Sequence, residues 1–127
     1  MKKIINTNNA PAPVGPYNQS VLAGNMLFVS GQIPINPATG EIISESIEAE
    51  TTQVLENIKS ILEEASMTFV NVIKCSVFVT DMGMFGRINE IYAKYFPAES
   101  APARELVQVV ALPKNVNVEI SAIAVVL

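Results

Sequence analysis

Histidine and tryptophan are absent from this sequence, and cysteine occurs once, as Cys75. Without an imidazole, the chain cannot form a Ser-His-Asp triad, a Cys-His dyad or a histidine-based ribonuclease site. A single thiol excludes an internal disulfide and, with no histidine beside it, argues against a zinc site. The reactive side chains that remain are carboxylates, hydroxyls, lysines and two arginines, Arg87 and Arg104.

Charged side chains are scarce: they make up 16% of the residues, and the net charge is −4. An acidic chain without a basic run does not suit nucleic acid or an anionic membrane as a partner. Half of the residues are apolar and the mean hydropathy is +0.35. Because this is high for a soluble monomer, we expect other subunits to cover some apolar surface.

Long hydrophobic runs are also missing, since no segment approaches the roughly 18 apolar residues of a membrane span. The first residues turn polar after Ile5, unlike a signal peptide. We therefore expect a cytoplasmic protein. The 127 residues fit one domain, residues 1–127, without an internal repeat.

The apolar periodicity predicts an α+β fold, with two helices packed on one face of a mixed, mainly antiparallel sheet. The predicted strands cover residues 20–23, 26–32, 72–80, 104–112 and 116–126, and the predicted helices start at residues 47 and 82. Ser46 is the expected cap of the first helix and Asp81 that of the second. Two helices can cover only one face, so the apolar second face predicts a homo-oligomer that packs sheet against sheet.

Two charges stand in apolar strands near the C-terminus, Arg104 and Glu119. The short Pro113-Lys114-Asn115 turn between them predicts an antiparallel pair of strands, which would place both side chains along one edge of the sheet. An arginine fork binds a small carboxylate through two parallel hydrogen bonds, and a nearby glutamate can activate water. This pair predicts hydrolysis of a small molecule that carries a carboxylate. The alternative is that the two charges simply neutralise each other.

Other polar residues also have structural alternatives. Tyr17 after Gly15-Pro16 is typical of a loop anchor, and Ser30 and Gly31 are typical of a strand end. Asn89 lies on a helical face where an amide usually ties down a loop. Cys75 is expected to be a core thiol.

Several short motifs occur in order and with ordinary spacing along nearly the whole chain. They are Gly15-Pro16-Tyr17, Ser30-Gly31-Gln32, Ala101-Pro102-Ala103-Arg104, Leu112-Pro113-Lys114 and Val118-Glu119-Ile120. Together they strongly resemble the RidA family, also called YjgF. The resemblance implies a chorismate-mutase-like fold and a homotrimer with a central sheet-lined barrel and three clefts between subunits. It also implies deamination of reactive 2-imino acids and their enamine tautomers to 2-keto acids and ammonia, with no cofactor and no metal.

By this resemblance, Arg104 corresponds to the residue that binds the substrate carboxylate and Glu119 to the residue that holds the attacking water. The residues that would line the same cleft are Tyr17, Ser30, Gly31 and Asn89. The sequence departs from the family pattern at Leu106, where many members carry a cysteine, and at Glu105, where serine is common. A non-catalytic trimer that binds a small metabolite and docks on a regulated protein is the alternative function.

Overall fold

The computed structural model describes all 127 residues, which form one mixed sheet and two α-helices. The elements are β1 (Lys2–Ile5), β2 (Ser20–Ala23), β3 (Met26–Gln32), α1 (Ile47–Glu64), β4 (Val72–Val79), α2 (Phe85–Tyr95), β5 (Ala103–Gln108) and β6 (Val118–Val125). Neither helix has the length and apolar character needed to cross a membrane.

The first helix forms where the sequence predicts it. The Ser46 hydroxyl oxygen accepts a hydrogen bond from the Ala49 amide at 3.0 Å, and Glu48 and Glu50 lie in the first turn, where the positive end of the helix dipole favours acidic side chains. Its buried stripe follows the helical repeat and packs against α2, β3 and β6. Each fully buried leucine or isoleucine of this stripe contributes about 1.5–3 kcal/mol to folding.

The second helix begins later than predicted. Asp81 caps a short 3₁₀ turn, Met82–Met84, by accepting a hydrogen bond from the Gly83 amide at 2.8 Å, and α2 starts only at Phe85. The aspartate therefore caps the tighter turn and not the α-helix itself. Strand β1 was not predicted, and β5 ends at Gln108 instead of residue 112.

The predicted antiparallel pairing of the last two strands is wrong. The strand order is β1-β2-β3-β6-β4-β5, so β4 lies between β5 and β6. Helix α2 returns the chain to the end of the sheet at which β4 begins, so β5 runs parallel to β4. All other strand pairs are antiparallel. Residues 109–117 then pass over the end of β4 through hydrogen bonds from the Val109 amide to the Val79 carbonyl and from the Thr80 amide to the Asn117 carbonyl.

Both helices pack on one face of the sheet, as predicted. Strand β6 shows the division: Val118, Ile120, Ala122 and Ala124 are buried under the helices, and the residues between them point to the other face. That second face is rich in apolar side chains without a covering layer, and Phe28, with 44% of its surface exposed, is one of them. We refer to it below as the open face.

Candidate active site

A cleft of about 460 Å³ lies on the open face and contains four of the six predicted site residues, Tyr17, Ser30, Gly31 and Glu119. Four further residues line it, which are Val14, Ile33, Pro113 and Lys114. The cleft therefore brings together the loop before β2, the end of β3 and the start of β6.

Glu119 lies directly against the backbone of Gly31. A Cβ atom at position 31 would lie 2.8 Å from Cδ and 3.1 Å from Cγ of Glu119, closer than side-chain packing allows. The absence of a side chain at Gly31 therefore makes room for the carboxylate. Burial raises the pKa of Glu119 above the usual 4.5, because the charged form loses hydration.

The wall that carries Tyr17 is fixed by hydrogen bonds to neighbouring backbone. The Ser30 hydroxyl donates to the Asn18 carbonyl at 2.6 Å, and the Ser30 amide donates to the Gln19 carbonyl at 2.9 Å. The buried Gln19 side-chain amide in turn donates to carbonyls of the preceding loop, including those of Ala10 and Pro11. Ser30 therefore holds the loop in place, while Tyr17 stays 47% exposed at the cleft.

The opposite wall is a strained turn. Lys114 and Asn115 both have left-handed backbone conformations, with φ of 56° and 57°, which costs non-glycine residues about 1 kcal/mol or more each. A buried carboxylate secures this turn at its base: Glu50 of α1 accepts hydrogen bonds from the Asn117 backbone amide at 3.0 Å and from its side-chain amide at 2.7 Å. Sequence patterns predicted a turn at Lys114 but not its place in the cleft wall, and they did not predict the contacts of Glu50 with Asn117.

The other two predicted site residues, Asn89 and Arg104, lie in a separate cluster beside α2. The Arg104 Nη1 atom donates a hydrogen bond to the Asn89 side-chain oxygen at 2.8 Å. The guanidinium carbon lies 4.7 Å from the ring centre of Tyr92 and 5.9 Å from that of Phe85. An amide and two aromatic rings therefore hold this cation, and neither ion pair of the chain involves it.

Cys75 and Tyr92 form the buried floor of this arginine cluster. Cys75 is fully buried, as predicted for a core thiol, and burial raises its pKa. Burial also raises the pKa of Tyr92 far above its ordinary value, so the phenol stays neutral at physiological pH. The hydroxyl group of Tyr92 has the thiol as a neighbour but makes no hydrogen bond of acceptable geometry.

Leu106 is one of the two positions at which the sequence departs from the pattern described above. In the parallel register it pairs with Val77, which faces the core, and it is half-buried against the hydrophobic core. Glu105 points to the open face, where it forms an ion pair with Lys74 at 2.9 Å and accepts a hydrogen bond from the Ser76 hydroxyl. These interactions lower the pKa of Glu105, with the Ser76 hydrogen bond contributing most.

The cleft and the arginine cluster do not meet within one chain. Arg104 lies on the helix face of the edge strand β5, and Glu119 lies on the open face of β6, with β4 between them. This corrects the expectation that both side chains line one edge of the sheet, because the strands that carry them are not neighbours. It also excludes mutual neutralisation of the two charges inside one chain. No three His, Cys, Asp or Glu side chains cluster as metal ligands would.

Comparison with known proteins agrees with the motifs. Residues 7–126 match the family described as Endoribonuclease L-PSP. The chain belongs to this family, which includes the RidA proteins. The predicted RidA resemblance is thereby confirmed.

Two relatives in the RidA family cover nearly the whole of this chain. A RutC family protein of Pyrococcus horikoshii is 56% identical over 124 residues, which is 98% of each sequence. Reactive Intermediate Deaminase A, chloroplastic, of Arabidopsis thaliana is 46% identical over 123 residues, which is 97% of this chain and 65% of the relative.

A solved structure of the family confirms the predicted α+β architecture. The crystal structure of E. coli TdcF with bound serine superposes with a TM-score of 0.92 at 46% identity, covering 98% of this chain and 99% of TdcF. The six-stranded mixed sheet with two helices on one face is therefore a RidA-family fold.

Proposed function

We propose that this protein hydrolyses reactive 2-imino acids and their enamine tautomers, of the 2-aminoacrylate and 2-aminocrotonate type, to 2-keto acids and ammonia. The reaction takes place in a site that neighbouring chains of a homotrimer build together. The relative named Reactive Intermediate Deaminase A supports the reaction class. The serine bound to TdcF supports a ligand of small amino-acid size.

One observation carries the proposal: the Glu119 carboxylate lies in a cleft against a backbone without a side chain, at Gly31. A carboxylate whose pKa is raised by burial is a stronger base than a solvated one, and it can take a proton from a water molecule beside it. The free space of about 460 Å³ admits both the water and a small substrate.

Arg104 supplies the anchor for the substrate carboxylate. Its contact with Asn89 uses one N–H of Nη1, which leaves other N–H groups of the guanidinium for a two-pronged contact with an anion. No carboxylate of its own chain pairs with Arg104, so an incoming substrate carboxylate does not have to displace one.

The anchor and the base come together only between chains. Arg104 and Glu119 lie on opposite faces of one sheet, so a cleft that contains both takes Arg104 from one chain and Glu119 from its neighbour. The open face is apolar and lacks a covering layer in the single chain, which favours its burial against other copies. The homotrimer implied by the RidA resemblance is the assembly that we propose for this arrangement.

The chemistry needs only water and these groups. Glu119 takes a proton from water while the oxygen attacks the C=N carbon, and it passes this proton to the imine nitrogen, which gives a neutral carbinolamine. Glu119 then takes the proton of the carbinolamine hydroxyl group and delivers it to the amine as the C–N bond breaks, which releases ammonia and leaves the C=O group. Arg104 holds the substrate carboxylate throughout, and the carboxylate of Glu119 is regenerated. General base catalysis of this kind contributes about 10²–10⁴-fold.

A non-catalytic protein that binds a small amino or keto acid is the second candidate, because serine, the ligand in TdcF, is not an imine. The same residues would line that site, so turnover separates the two functions. Ribonuclease activity has less support, since the chain has no histidine and a net charge of −4.

Mixing two inactive variants tests both the reaction and the shared site. Arg104→Ala and Glu119→Gln are each expected to slow the decay of 2-aminocrotonate generated in situ by about 10²-fold or more relative to wild type. When the two variants are unfolded and refolded together in equal amounts, some interfaces between chains combine an intact Arg104 from one chain with an intact Glu119 from its neighbour. For random assembly we expect about a quarter of the wild-type activity.

The control is the same mixture without unfolding, sampled before subunits exchange, which should stay inactive. Recovery that does not exceed the sum of the separate variants would contradict a site shared between chains. Wild-type protein that binds a small keto acid but does not accelerate enamine decay would contradict the deaminase function and favour the binding role.

A further inference from the structure

Tyr92 contacts Arg104 but has no role in the proposed reaction. Its ring centre lies 4.7 Å from the guanidinium carbon of Arg104, within the range of a cation–π interaction. The residue is only 7% exposed, so water does not weaken this contact as it would at the surface.

The hydroxyl group of Tyr92 does not explain why the residue is there. A buried hydroxyl is normally paired, and leaving it unpaired costs free energy, yet this one has no partner in good hydrogen-bonding geometry. Its polar neighbour is the Cys75 thiol, which is a weak partner at best. The ring makes the close contacts of this residue: it packs against the Phe96 ring with 4.6 Å between the ring centres, and the Arg104 guanidinium lies over its face.

Asn89 and Tyr92 restrain the guanidinium in complementary ways. Both residues belong to α2, three positions apart, so they project from adjacent points of the same helical face. The Asn89 oxygen accepts from one N–H group at 2.8 Å, and the Tyr92 ring lies below the guanidinium carbon at 4.7 Å and limits its movement toward the sheet. A long arginine side chain has many rotamers, and a side chain fixed before binding loses less entropy on binding.

We propose that Tyr92 is a positioning residue, whose ring face sets the plane of Arg104 so that the free guanidinium edge is presented to the substrate carboxylate. The inference rests on the proposed function in one respect, namely that Arg104 is the carboxylate anchor. It adds that the ring, and not the hydroxyl, determines affinity for the anionic substrate.

Substitutions at position 92 separate the ring from the hydroxyl. Tyr92→Phe keeps the ring, and we expect KM for 2-aminocrotonate within about twofold of wild type. Tyr92→Leu and Tyr92→Met remove the ring, and we expect KM to rise about tenfold with kcat changed less than about threefold. Methionine fills the space more completely than leucine, so KM can still be measured without the ring if the leucine variant is unstable.

A double-mutant cycle distinguishes positioning from general packing. In an Arg104→Lys background the planar cation is gone, so Tyr92→Met should raise KM by less than about twofold further. Tyr95→Leu is the matched control, because Tyr95 belongs to the same helix but donates a hydrogen bond to Glu56, away from Arg104. It should leave KM unchanged even where the melting temperature falls.

Three outcomes would overturn the proposal: a KM increase in Tyr92→Phe as large as in Tyr92→Met, a full additive effect of Tyr92→Met in the Arg104→Lys background, or an unchanged KM in Tyr92→Met. Binding of pyruvate, a plain 2-keto acid, measured by calorimetry, keeps this test independent of turnover. If the wild type binds pyruvate without deaminating imines, the proposed function fails, while a tenfold weaker binding by Tyr92→Met still supports the role of Tyr92.

Discussion

The two arginines of this chain show two different uses of the same side chain. Arg87, on α2, forms a two-pronged ion pair with Glu48 of α1, with N–O distances of 2.8 and 2.7 Å, and both partners are substantially exposed. This pairing lowers the pKa of Glu48 to about 2. Arg104 contacts an amide and aromatic rings, and no carboxylate of its own chain neutralises it.

The difference identifies which charge is available to a ligand. The two-pronged edge of Arg87 is already filled by a carboxylate, so an incoming anion has to displace Glu48. Arg104 has neighbours that orient it without cancelling its charge, which is the arrangement expected of an anion anchor. The two arginines also provide matched variants, because each can be replaced by alanine in the same chain.

The largest contrast is expected from these alanine variants. Arg104→Ala should lower kcat/KM for 2-aminocrotonate on the order of 10³-fold, because the substrate loses both a charge-assisted contact and its orientation. Arg87→Ala should leave kcat/KM unchanged and alter the melting temperature little, since solvent-exposed ion pairs contribute little. Equal activity losses in the two variants would show that Arg104 has no special role.

Two glutamates extend the comparison to carboxylates. Glu50 is 2% exposed and accepts two hydrogen bonds from Asn117. Glu119 lies against Gly31 and faces the cleft, and burial is the cause of its raised pKa. By the same reasoning, the satisfied carboxylate has a structural role and the one facing open space is available for chemistry.

Glu119→Gln should lower kcat about 10²-fold, because an amide cannot take a proton from water. In the wild type, kcat/KM should rise with pH as Glu119 loses its proton, with a midpoint above pH 4.5. The glutamine variant should not show this rise. Because the pKa of Glu119 is higher in the folded than in the unfolded protein, the free energy of unfolding falls as the pH rises through the folded-state pKa. The variant should therefore gain stability relative to wild type between acid and neutral pH, measured by denaturant unfolding. A relative loss would contradict the burial effect.

Glu50→Gln is expected to have the smallest effect on activity and a clear effect on stability. Glutamine can accept only one of the two Asn117 hydrogen bonds and brings an NH₂ group against the other donor, so we expect a loss of about 1–3 kcal/mol in unfolding free energy. Glu63→Gln, on the exposed face of α1, is the control and should change the unfolding free energy little. Equal stability of both variants would show that Glu50 does not secure the turn at Lys114.

Local signals in the sequence predicted the elements well. The Ser46 cap and the helical stripe predicted α1, and Gly24-Asn25 between two apolar segments predicted the β2–β3 hairpin, which the structure confirms. These features depend on neighbours within a few residues, which is the range over which capping and turn chemistry act.

The strand order was not predictable in the same way. Pro113-Lys114-Asn115 resembles a hairpin turn, but residues 109–117 bridge β4 instead, because the crossover through α2 had already placed β5 at the sheet edge. The motifs identified Arg104 and Glu119 individually. Their separation onto opposite faces followed from the topology, and the contacts of Tyr92 and Glu50 followed from packing, neither of which a local pattern records.

The crossover through α2 also has a consequence for the order in which the two halves of the site can assemble during folding. Asn89 and Arg104 are 15 residues apart, within a single strand–helix–strand unit, so little loop-closure entropy is lost when they meet. Tyr17 and Glu119 come from nearly opposite ends of the chain and meet only once the central strands have paired. We therefore expect the contacts between Asn89 and Arg104 to form early in folding, and the cleft between Tyr17 and Glu119 to form last.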